Sequence, residues 1–143
     1  MSRLLRRLAD ASKNGVYRVA RTDAVIDAVK DSGLHLARVA LRDGDGKAEI
    51  LRQLAQALAF PSWFGGNWDA LEDCLADLSW STATGEVLLI EGAGGAVADD
   101  VGVLRDILDA TASFWAERRR PFFAVFAGPG ADPALPELHR ERQ

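Results

Sequence analysis

Three short apolar runs, separated by segments of helical periodicity, constrain this chain most. They are Leu34–Leu41, Gly85–Glu91 and Pro121–Phe126. Strands joined through helices need crossover connections, and crossovers place strands parallel in one sheet. The run Pro121-Phe-Phe-Ala-Val-Phe126 has no polar alternation, which suits a position buried on both faces. The expected class is therefore α/β, with a parallel sheet flanked by helices.

The intervening segments support this order. Residues 47–59 place Ile50, Leu51, Leu54 and Leu58 at helical spacing. Asn67 is an N-cap for a helix running to about Leu78. Asp99 to about Arg119 reads as a third helix, with Val103, Ile107, Ala110 and Phe114 facing inward. Ahead of residue 34, residues 3–13 read as a basic helix stopped at Gly15, Val16–Val19 as a short strand and 24–29 as a helix closed by Gly33. Residues 127–143 contain Pro129, Pro133 and Pro136 and read as a loose tail. The chain divides on this reading into an N-terminal extension (1–33), a domain (34–126) and a C-terminal tail (127–143).

A length of 143 residues fits one domain with a self-sufficient core. The lone cysteine, Cys74, allows no intrachain disulfide, and no apolar run is long enough to span a bilayer. A cytoplasmic protein with no membrane partner is expected. The net charge of -4 conceals an uneven distribution: residues 53–104 contain no Lys or Arg but eight acids, so the rest of the chain carries +4. That balance argues against direct nucleic-acid binding and for a cationic protein partner.

Few residues offer catalytic chemistry. Gly92–Gly95 completes neither a dinucleotide fingerprint nor a P-loop and reads as a turn. His35 and His139 lack a ligand partner three or four residues away. Cys74 follows Asp73, whose charge disfavours a thiolate. No metal, cofactor or catalytic residue is assigned.

The informative segment is Phe60-Pro-Ser-Trp-Phe-Gly-Gly-Asn-Trp-Asp-Ala-Leu-Glu-Asp-Cys-Leu75. In the helix after Asn67, Trp68, Leu71, Leu75 and Leu78 form an inward stripe, and Asp69, Glu72, Asp73 and Asp77 point outward. Like charges at i,i+4 cost a helix about 0.2–0.5 kcal/mol per pair. An unmixed acidic face beside a loop of aromatics is the composition of an interface for a cationic site. Three readings follow: a protein inhibitor, an immunity or adaptor module binding some other cationic partner, and a metal-dependent hydrolase.

The same segment resembles the signature of the barstar family, intracellular inhibitors of barnase-type ribonucleases. It follows without a gap the family pattern: apolar residue, Pro, any residue, two aromatics, Gly, any residue, Asn, apolar residue, Asp-Ala-Leu, any residue, Asp. The resemblance extends more loosely over residues 34–126. It implies a three-stranded parallel sheet flanked by helices, no catalytic activity and a ribonuclease partner whose cationic cleft receives the acids. By position it makes Asp73 the leading acid, Asp69 the second and Trp63 the contacting loop aromatic. Asn67 and Gly65 would hold the loop-to-helix geometry, with Trp68 structural beside them. Glu72 stands where the founding member has an aromatic, Asp77 where it has a small residue, and Leu78 where it has an aromatic. A further acid from the later helix falls nearest Glu117.

Overall fold

The computed structural model describes residues 2–139. The elements run α1 (Arg3–Leu8), a 3-10 turn (Ala11–Lys13), β1 (Gly15–Val19), α2 (Asp23–Val29), β2 (Leu34–Ala40), α3 (Lys47–Ala57), α4 (Trp68–Leu75), β3 (Gly85–Glu91), a 3-10 turn (Ala93–Gly95), α5 (Ala98–Glu117) and β4 (Phe122–Ala127). The sheet is parallel throughout, in the order β1-β4-β3-β2.

The sheet thus has four strands, not the three expected. The fourth comes from the N-terminal segment, where Gly15–Val19 pairs in register with Phe123–Ala127. Without it, β4 would be an edge strand with unpaired backbone along a wholly apolar run.

Both sheet faces are buried. Leu88 and Ile90 of β3 and Phe122, Ala124 and Phe126 of β4 pack against α3, α4 and α5. Val87, Leu89, Phe123 and Val125 point the other way, onto Leu4 and Leu8 of α1 and Val25 and Val29 of α2. The period-two alternation therefore serves two cores, which explains why β3 and β4 carry no polar face.

Several local expectations change. The helix expected over 3–13 breaks after Leu8, because Asp10 accepts Ser12 N–H at 3.0 Å and caps a separate turn. The α5 stripe is displaced: Leu104, Ile107, Leu108, Thr111 and Ala112 are buried, whereas Val103 and Ala110 are exposed and Phe114 is half-buried. The tail is packed as far as it is described. Leu135 and Leu138 are buried, and Arg18 N–H donates to Pro136 O at 2.9 Å. The remaining tail residues, 140–143, lie outside the described residues.

Candidate functional site

α3 and α4 deliver a loop of aromatics and a short acidic helix to one side of the sheet. The loop begins where Phe60 N–H donates to Ala55 O at 2.9 Å. Phe60 and Phe64 pack at 5.0 Å between ring centroids and rest on the core. Trp80 meets Phe60 edge-on at 6.0 Å, and its indole N–H donates to Leu58 O at 3.0 Å. Trp63 stands edge-on to Trp80 at 6.2 Å and remains 58% exposed. A rigid aromatic base therefore holds one large ring out to solvent.

The chain enters α4 through Gly66, whose φ of +71° is left-handed and suits glycine. Gly65 next to it has ordinary φ, and its nearest neighbours are the side chains of Ala70 and Asn67. Asn67 Oδ1 accepts Ala70 N–H at 2.7 Å, the expected N-cap. Leu71, Cys74 and Leu75 are buried, and Trp68 is half-buried against the core. Burial, then the charges of Asp73 and Asp77, push the Cys74 thiol pKa upward.

Asp69, Glu72 and Asp73 are exposed on α4, and none pairs with Lys or Arg among the described residues. Asp77 is exposed as well, but α4 ends at Leu75, so Asp77 lies beyond the helix rather than in its acidic row. Its carboxylate accepts Ser79 N–H at 3.3 Å. Leu78 takes φ of +50° and stays buried, so the inward stripe survives although the helix does not. Trp115 of α5 closes this end of α4: its indole N–H donates to Leu75 O at 2.7 Å.

Glu117 is the last residue of α5. It is 81% exposed and 3.9 Å from Arg118. α4 and α5 enclose a groove of about 310 Å³ that includes Glu72, Asp106, Ile107, Ala110 and Phe114, but not Glu117.

Behind the aromatic loop lies a buried charge that no local sequence pattern marks. Glu86, the second residue of β3, is fully buried. Its Oε1 accepts from Ser81 Oγ at 2.9 Å and from Arg120, and its Oε2 is 2.9 Å from His35 Nδ1. The Arg120 guanidinium also lies 5.5 Å from the Trp115 ring centroid. Two of the three Glu86 partners, His35 and Arg120, stand 51 and 34 residues away, so no local signal marks the ion pair. Among the described residues, no group of three or more His, Cys, Asp or Glu is arranged to hold a metal ion. No helix among them is long and apolar enough to cross a membrane.

Residues 34–127 match the family described as Barstar (barnase inhibitor). The chain belongs to the barstar family. Its matched region opens on the first residue of β2 and closes on the last of β4, with α3, α4 and α5 between. β1, the two N-terminal helices and the packed tail lie outside it. No curated protein matches the chain.

Proposed function

We propose that this barstar-family protein inhibits a barnase-type ribonuclease by occluding its cationic active site. The observation that carries the reading is the acidic row Asp69, Glu72 and Asp73, in no ion pair among the described residues, on the helix that follows the loop of exposed Trp63, all within the matched region. A ribonuclease must present cations to RNA phosphates. Carboxylates on a rigid helix can take those positions, with Trp63 supplying apolar contact at the margin. Asp73 and Asp69 are the leading contacts, Glu72 and Asp77 add charge, and Asn67 and Trp68 fix the geometry, with Gly66 rather than Gly65 supplying the left-handed turn. Glu117, at the end of α5, is a contact of the periphery. Attraction between opposite charges speeds association, and added salt slows it.

The inhibitor needs no cofactor, binds no nucleic acid directly and works in the cytoplasm, where a single buried thiol is stable.

Asp73→Ala should weaken binding to barnase by about 2 kcal/mol or more, a magnitude carried over from the barnase–barstar pair rather than worked from this structure. Asp99→Ala, a carboxylate in the first turn of α5, should change affinity little. Equal effects of the two substitutions, measured by titration calorimetry, would sink the assignment. Binding without any effect on RNA cleavage would instead favour an adaptor for another cationic protein.

A further inference from the structure

α4 has eight residues, Trp68–Leu75, and a helix that short is marginal by itself in water, so its direction is set by what holds its ends. Asn67 caps the start. The other end is the turn that carries Glu72 and Asp73. The backbone N–H groups that follow it are directed elsewhere: Ala76 donates to Glu72 O at 3.0 Å, Asp77 and Leu78 both donate to Cys74 O at 3.2 Å, and Ser79 donates to the Asp77 carboxylate. The carbonyl of buried Leu75 is left to the indole N–H of Trp115, at 2.7 Å. Trp115 is itself braced. Arg119, with φ of +61°, ends α5 in a left-handed turn, in which Arg119 N–H donates to Ala116 O and Arg120 N–H to Trp115 O, both at 3.0 Å. That turn brings Arg120 back to Trp115, with the guanidinium carbon 5.5 Å from the ring centroid. The same guanidinium is bonded to the fully buried Glu86 of β3, and Phe114 meets the Trp115 ring edge-on at 5.0 Å. Contacts therefore run from the sheet through Glu86, Arg120 and Trp115 to the last residue of α4.

We propose that Trp115 is a positioning residue for the acidic helix: its bond to Leu75 O fixes the angle at which α4 presents Asp73 and Glu72 to the protein partner. The proposal rests on the reading of α4 as the inhibitory face. Carboxylates act as a rigid row only while their helix keeps one angle to the sheet. The buried side of α4 is Leu71, Cys74 and Leu75, whose apolar contacts have no preferred direction, whereas an N–H···O bond has one. Filling the space beside α4 needs no donor, and another large apolar side chain would serve for that. What the indole N–H adds is the bond to the α4 backbone, two residues after Asp73. A charge-assisted hydrogen bond loses its strength when donor and acceptor part by about 1 Å. Losing the brace therefore acts on how long a complex lasts. The rate at which it forms follows the long-range charge, which Trp115 does not alter.

Two measurements on the full chain test the brace. Trp115→Phe keeps an aromatic ring and loses the N–H. Site-specific 3-benzothienyl-alanine at position 115 keeps the bicyclic shape with sulfur in place of N–H, and it replaces the Phe variant if that variant does not fold. Val25→Ala, in the buried core on the opposite face of the sheet, is the control for lost stability alone. The first measurement needs no ribonuclease. Residual dipolar couplings of the backbone amides should show α4 reoriented or less ordered against β3 and β4 in the position-115 variant, and unchanged in Val25→Ala. Couplings of α4 that match the wild type in the position-115 variant overturn the proposal. The second is stopped-flow binding to barnase. The position-115 variant should dissociate about fivefold faster or more, with its association rate within about twofold of the wild type. Val25→Ala should leave both rates unchanged, although its melting temperature falls. Wild-type dissociation in the position-115 variant overturns the proposal, and so does an equal acceleration in Val25→Ala. Failure of the wild-type protein to bind barnase would count against the ribonuclease reading, and the dipolar couplings would then decide the brace alone.

Discussion

Residues 1–33 lie outside the family match, yet the sheet depends on them, and their deletion tests how far. A chain of residues 34–143 loses β1, α1 and α2 together. The removed segment takes its own burial gain and its own ordering cost with it, so the decisive quantity is what the remainder loses. Five large side chains of the retained sheet, Leu34, Val87, Leu89, Phe123 and Val125, belong to the core that this segment covers, and each is at most 9% exposed. Full burial of such a side chain stabilises by about 1.5–3 kcal/mol, so exposing five costs about 8–15 kcal/mol at the upper bound. A domain of this size has about 5–15 kcal/mol in all. The truncated chain should therefore lack a cooperative thermal transition by circular dichroism and should associate through the bared edge of β4 in size-exclusion chromatography. A monomer melting cooperatively within about 5 °C of the full chain would have lost only about 2 kcal/mol, and the reasoning would be wrong.

Three further outcomes are expected. Arg120→Met strands the buried Glu86 carboxylate on Ser81 and His35, costing about 3 kcal/mol by denaturant unfolding, while adding Glu86→Gln should restore most of the loss; a double variant no better than the single would contradict the buried-pair account. The Arg52 guanidinium holds Glu49 at a pKa of about 2 against an ordinary 4.5, so this pair's contribution to stability is complete above 4.5 and disappears as pH falls through 2. Carboxyl NMR should find the Glu49 midpoint near 2 and should see it rise toward the ordinary value in Arg52→Gln. Asn67→Ala removes the cap on Ala70 N–H and should destabilise the protein by about 1 kcal/mol in chemical denaturation, whereas Asn67→Asp should cost much less.

What the sequence revealed and what it hid follow from range. β2 and β3 were legible because a strand of alternating or continuous apolar residues is a local signal, and Asn67 was legible because a cap sits beside the helix it starts. Sheet membership of β1 was not, since its partner Phe123–Ala127 lies roughly a hundred residues away and nothing within Gly15–Val19 announces the pairing. The end of α4 escapes the sequence for a different reason. Leu78 keeps to the inward stripe, but through a left-handed turn that periodicity does not detect. α5 has apolar residues on two adjacent stripes, so its hydrophobic pattern fits two phases. Val103, Ile107, Ala110 and Phe114 form the stripe that mostly faces the groove rather than the core. Glu86 counted among the acids of the Lys- and Arg-free stretch, yet its charge is internal and paired, so it adds nothing to the surface that Asp69, Glu72 and Asp73 present.

The proposed function is occlusion of a ribonuclease by the acidic face of α4. The direct measurement is cleavage of an RNA substrate by barnase while this protein is titrated in, at low and at high salt. Activity should fall to zero at one equivalent, with weaker inhibition as salt rises and in Asp73→Ala. Undiminished cleavage with the wild-type protein in several-fold excess at low salt would contradict it.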